Sequence, residues 1–144
     1  MCTVNIRSIQ HFMYCPRRWG LLEINDDWAE NIYVIKANLM HKHVHSGEHD
    51  YSSNNKKVIS SLSVYNDELD IYGVIDCAEF KRDKNGSFIK NLNDKFNITI
   101  VEYKPTKPKD SDFWHSDAIQ VFAQKLCVDY VFKCDSEACI YYGD

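Results

Sequence analysis

The order of hydrophobic periodicities predicts a mixed α/β (α+β) chain, with a mixed central sheet flanked by helices. Three observations carry this. Apolar residues in roughly the first fifty positions recur at helical spacing. Residues 57–104 then alternate with a period near two. One more helical stretch separates the third strand from a last one. The resulting order is α–α–β–β–β–α–β, a meander followed by a helix that crosses the sheet.

"SIQHFMYCPRRWGLLEI" opens the first helix, with Ser8 as its expected N-cap and Pro16 as the residue that breaks or kinks it. "NDDWAENIYVIKANLMHKHVHSG" reads as a second helix with a stripe of Ile32, Ile35 and Leu39, stopped by Gly47. The polar "EHDYSSNNKK" is a loop. "KVISSLSVYN" alternates imperfectly, placing Val58, Ser60, Leu62 and Val64 together. "NDE" then turns the chain into "LDIYGVIDCAEFKR", which "DKNG" is expected to end. Residues 87–95 read as a hairpin tip and "FNITIVEYK" as the third strand. The prolines of "KPTKPKDSDFWHSD" make it a loop. "SDAIQVFAQKLCVDYVF" is a helix whose expected inner face is Ile119, Phe122, Ala123, Leu126 and Tyr130, and "EACIYYGD" is the last strand.

A length of 144 residues suits a single domain over 1–144, and 44% apolar with 26% charged residues is ordinary for a globular protein. No apolar run reaches the roughly 18 residues of a membrane span, and the N-terminus has no signal-peptide core, so no membrane association and a cytoplasmic location are expected. Seventeen bases against 21 acids give a net charge of −4, which excludes a globally basic nucleic-acid binder. Contact with DNA would have to come from local clusters, at Arg17 and Arg18 or at Lys104, Lys107 and Lys109. Six cysteines without a CxxC pair announce neither a disulfide framework nor a zinc ribbon.

The chemistry gathers around "IVEYK". Residues two apart on a strand share a face, so Glu102 and Lys104 project together. A carboxylate can hold a divalent cation, and a lysine beside it can orient or deprotonate a water. Taken alone, Glu–x–Lys is most often an ion pair. Asp76, however, interrupts the apolar "YGVIDCAEF" of the preceding strand, and a buried aspartate is costly unless a partner or a metal satisfies it. His41, His45 and His49 fall on one helical face and offer imidazole ligands. A zinc-binding structural protein using these three is a further reading, although helical zinc hydrolases place a glutamate between their histidines, where Lys42 and Val44 stand here.

In this order "SIQHFMYCPRRWGLL", "LMHKHV", "YGVIDCAEF", "VEYKPTKPK", "SDAIQVFAQKLC" and "ACIYYGD" resemble the PD-(D/E)xK nuclease superfamily in its RecB-like branch. The resemblance narrows to the CRISPR-associated RecB-like exonuclease family, fourth of the numbered CRISPR-associated proteins, in its subtype I-C members. It implies a restriction-endonuclease-like, RecB-like nuclease core. It also implies a metal site of His41, Asp76, Glu102 and the carbonyl of Tyr103, with Lys104 catalytic and Gln120 positioning DNA or water. Mg²⁺ or Mn²⁺ suits such a donor set.

By the same resemblance, Arg17, Arg18, Lys107 and Lys109 are candidate phosphate contacts. Single-stranded DNA or DNA overhangs would be the substrate and the CRISPR integrase the partner, in the processing of new spacer ends. Two departures accompany the match. Gln124 stands where the wider family often has tyrosine. Of the four cysteines that hold the family's 4Fe-4S cluster, Cys15 matches the first, while Cys127, Cys134 and Cys139 lie too early for the other three. The expectation is a fragment or a shortened copy lacking the cysteine-rich C-terminal part, active as a nuclease or surviving as a silent DNA-binding or integrase-docking module.

Overall fold

A computed structural model of the chain describes residues 3–21, 51–52 and 55–143. The expected second helix, with His41, His43, His45 and His49, lies outside the described residues. The elements are β1 (Val4–Asn5), α1 (Ile6–Tyr14), α2 (Pro16–Trp19), β2 (Tyr51–Ser52), β3 (Lys56–Asn66), β4 (Ile71–Ile89), β5 (Asp94–Lys104), α3 (His115–Phe132) and β6 (Glu137–Tyr142). They form a mixed sheet in the order β2–β3–β4–β5–β6 with helices against it, as the periodicities predict. β2 to β5 are antiparallel neighbours, β6 runs parallel to β5, and β1 adds a short parallel pairing to β4.

Helix α1 starts earlier than expected. Its N-cap is Asn5, whose side chain accepts from Arg7 N at 2.9 Å. Ser8 lies inside the helix, where its Oγ accepts from Trp19 Nε1 at 2.8 Å. Both residues are competent caps; the start at Asn5 puts Ile6, 2% exposed, under the sheet against Gly73. Pro16 does break the helix: α1 ends at Tyr14, and the proline becomes the first residue of α2, where its missing N–H costs nothing.

The hairpin from β3 to β4 is held by Asn66. Its Oδ1 accepts from the backbone N–H groups of Glu68 and Leu69, and its Nδ2 donates to the carbonyl of Leu126 on α3. The imperfect alternation in β3 has a backbone cause. Ser61 adopts a left-handed conformation (φ 55°) and drops out of the ladder between Ser60↔Cys77 and Leu62↔Ile75. The inward positions change parity there. Leu62 and Val64 pack on the core on one side of the defect, and Ile59 does so on the other, while Val58 pairs with Glu79. On β4 the change falls between Ile75 and Ala78, across Asp76. The core is Ile6, Val64, Ile75, Ala78, Phe80, Ile98, Ile100, Cys127 and Val128 with their neighbours, and Phe132 closes it edge-on to Phe80 at 5.5 Å.

"DKNG" does not end β4. Arg82 and Ser87 both register against Phe96, so residues 83–86 form an excursion and the strand continues to Ile89. The hairpin turn is the short 3₁₀ segment Lys90–Leu92, closed by left-handed Asn93 (φ 53°). Gly86 is needed where the excursion rejoins the strand: a Cβ there would lie 2.6 Å from the backbone C and O of Phe96. Gly86→Ala is therefore expected to destabilise the protein by about 1–3 kcal/mol in urea unfolding. Lys84→Ala, at an exposed position of the same excursion, should leave the midpoint within about 0.5 kcal/mol of wild type.

Candidate active site

The site begins where β4 and β5 part. The ladder between them runs to Cys77↔Val101 and stops one step short of Asp76 and Glu102. Beyond that point β4 takes β1 as its neighbour, at Ile71 and Tyr72. Asp76 sits in the interval, 3% exposed, and its Oδ2 accepts from the backbone N–H of Tyr103 at 3.0 Å. A side-chain carboxylate thus takes the place of a ladder carbonyl, and this fixes Asp76 beside Glu102.

Glu102 continues the inward row of Phe96, Ile98 and Ile100 and is 1% exposed. Both of its oxygens are held: Gln120 Nε2 donates to Oε1 at 3.1 Å and Gln124 Nε2 to Oε2 at 3.0 Å. Burial above all, and then the charge of Asp76, push its carboxyl up to about 7; Lys104 and the Gln124 amide work in the opposite direction. Lys104, on the same strand face, reaches Glu102 Oε1 at 3.6 Å and Asp117 Oδ1 at 3.8 Å.

Helix α3 turns an unexpected side to the sheet. Its buried residues are Ser116, Asp117, Gln120, Val121, Ala123, Gln124, Cys127 and Val128, whereas Ile119 and Phe122 of the expected inner face are exposed. Of that face Ala123 is buried, and Leu126 and Tyr130 are half-buried. The helix faces a carboxylate rather than an apolar layer at this level, so amides and an aspartate occupy its inner side.

Asp117 is a site residue that the sequence reading missed. It accepts from Tyr142 Oη at 2.9 Å and from Gln10 Nε2 at 3.4 Å, which joins β6 and α1 to Lys104. Its signal in the sequence was only its spacing, one turn before Gln120. The Tyr142 hydroxyl also accepts from Trp114 N at 3.1 Å, and burial raises it to about 12. His11 is buried on α1. Burial and then the positive charges of Arg18, Arg7 and Lys104 lower its imidazole to about 4, so it is neutral at neutral pH.

The structure therefore brings Asp76, Glu102, Lys104 and Gln120 together, with Tyr103 supplying the amide that holds Asp76. His41 lies outside the described residues. Among the described residues no three His, Cys, Asp or Glu side chains converge closely enough to enclose an ion. The donor chemistry nonetheless fits a hard divalent cation. It offers two adjacent buried carboxylates, and the Oε1 atoms of Gln120 and Gln124 are buried without a hydrogen-bond partner among the described residues.

Arg17 is exposed and Arg18 half-buried, near His11; Lys107 and Lys109 are exposed on the loop after β5. Cys15 caps α2, its Sγ accepting from Arg18 N at 3.4 Å. Cys127 is in the core, the Cys134 thiol points at Asp129, and Cys139 is exposed on β6.

The fold is thus a mixed α/β sheet flanked by helices, with a buried acidic pair and a lysine at the parting of two central strands. Among the described residues no helix is long and apolar enough to cross a membrane. No protein-family model matches the chain, and no curated protein matches it.

Because the folded-state pKa of Glu102 lies above its ordinary value, ionising it costs folding stability. That cost grows as pH rises from about 4.5 to 7 and is full above. Glu102→Gln should therefore stabilise the protein by about 1 kcal/mol or more at pH 8 and by little at pH 4. One flanking amide can reverse so that its Oε1, without a hydrogen-bond partner among the described residues, accepts from the new NH2, while the other still donates to the new carbonyl oxygen. Thermal melts at the two pH values check this; equal melting temperatures for variant and wild type at pH 8 would contradict it.

Proposed function

We propose that the protein is a metal-dependent deoxyribonuclease that processes single-stranded DNA ends. The observation that carries this reading is the buried pair Asp76 and Glu102 with Lys104 on the same face. Two carboxylates forced together out of water are expensive unless a cation or a proton resolves them. A bound Mg²⁺ or Mn²⁺ would polarise the scissile phosphate and acidify a water. Asp76 and Glu102 would hold it, with Gln120 and Gln124 turning carbonyl oxygens toward the same space.

Lys104, tethered between Glu102 and Asp117, orients the attacking water. Its oxygen bonds to phosphorus as one P–O ester bond breaks, leaving a phosphomonoester and a free hydroxyl. The narrower assignment, trimming of new spacer ends beside the CRISPR integrase, rests on the order of sequence motifs and is proposed on that ground. So are His41 as a further ligand and Cys15 as a ligand of a 4Fe-4S cluster.

One observation favours a second reading, a silent DNA-binding or integrase-docking module. Both Glu102 oxygens are already engaged by amides, and Lys104 is shared by two carboxylates. The two readings separate in one assay. A nuclease cleaves an end-labelled single strand with Mn²⁺ and loses at least about 100-fold in rate in Lys104→Ala and Asp76→Asn. Wild-type protein that binds DNA but cleaves with neither Mn²⁺ nor Mg²⁺ would establish the module instead.

A further inference from the structure

Linked to Lys104 through Tyr142 and Asp117 lies a group of exposed rings to which the proposed chemistry assigns no role. Tyr14 closes α1 and is 53% exposed; Trp114, just before α3, is 41% exposed. Their rings meet edge to face with centroids 6.2 Å apart, and the Arg18 guanidinium lies over the Tyr14 ring at 5.6 Å. Neither ring belongs to the core. Large aromatics held in water beside a cation are the usual equipment of a binding surface.

The group is fixed in place. Trp114 Nε1 donates to the carbonyl of Thr106 at 3.1 Å, and its backbone N–H donates to Tyr142 Oη. Tyr142 in turn donates to Asp117, the partner of Lys104. A short chain of polar contacts thus ties the platform to the lysine of the candidate site.

The charge nearby is favourable on the helical side. Residues 3–21 contain Arg7, Arg17 and Arg18 and no acid. On the facing loop Lys107 and Lys109 are balanced by Asp110 and Asp112, so the attraction for phosphates comes from the arginines. Rings with a guanidinium recognise bases that are free to leave the stack. Bases in a duplex are already stacked on one another, while those of a single strand are available.

We propose that Tyr14, Trp114 and Arg18 form a platform on which bases of single-stranded DNA stack. This deepens the nuclease reading and rests on it for the choice of nucleic acid as ligand. It is tested by binding alone, with fluorescence anisotropy of a labelled oligothymidylate in excess chelator. Tyr14→Ala and Trp114→Ala should each weaken binding by about tenfold to a hundredfold. Trp114→Phe, which keeps a ring but not the indole N–H, should stay within about threefold of wild type.

The dependence of affinity on salt should be unchanged in Tyr14→Ala, which removes no charge, and shallower in Arg18→Ala. An abasic oligomer of equal length should bind the wild type as weakly as oligothymidylate binds Tyr14→Ala. Wild-type affinity in both alanine variants, or equal affinity for abasic and normal strands, would overturn the platform while leaving cleavage untouched. Stacking without any metal-dependent cleavage would instead remove the nuclease reading and keep the platform.

Discussion

The confinement of Asp76 and Glu102 is the constraint around which the rest of the structure is arranged. Two carboxylates are buried side by side at the parting of β4 and β5, and several neighbouring polar groups answer to them. The Tyr103 amide turns to Asp76. Two glutamines one turn apart on α3 reach down to Glu102. Lys104 supplies positive charge from the same strand. Removing Lys104 or one of the amides from such a network leaves a buried carboxylate less compensated, which costs more than the contact itself contributed. This explains why α3 keeps polar residues on its inner side and leaves Phe122 in water.

The carboxylates and the lysine were legible in the sequence for a simple reason. In a regular strand an acid and a base two apart share a face, as Glu102 and Lys104 do, and an acid within an apolar run marks an inward position or a defect; Asp76 is both, since the alternation of β4 changes parity across it. The inner face of α3 was not legible by the same logic. Apolar periodicity finds the side of a helix that faces an apolar core. Here the helix faces an acid, and Asp117, Gln120 and Gln124 are buried in place of Ile119 and Phe122. Among the described residues the longer strands and the crossing helix came out in the expected order because they depend on the whole sheet, whereas Tyr51–Ser52, expected in a loop, pairs with β3 as a short strand; the rotation of one helix depends on what lies beneath it.

Turn chemistry misled in a related way. "DKNG" has every local mark of a turn, and Asp83 Oδ1 does accept from Asn85 N at 2.8 Å. Phe96 nevertheless pairs with residues on both sides of it, so the strand resumes. Local signals specify a bend, and only the partner strand decides whether the bend ends the element. The choice of Asn5 over Ser8 as a cap is similar, being settled by the need to bury Ile6.

The excursion at residues 83–86 carries one more implication. It accommodates extra residues inside a ladder that is regular on each side and shifts register across it, well along the strand from the acidic pair. Chain length can change at its exposed Lys84 and Asn85 without shifting the pairing of Cys77 with Val101, provided that Gly86 is kept. That makes it a natural attachment point: a fluorophore or an affinity tag inserted there would report on the protein while leaving the geometry of Asp76, Glu102 and Lys104 undisturbed.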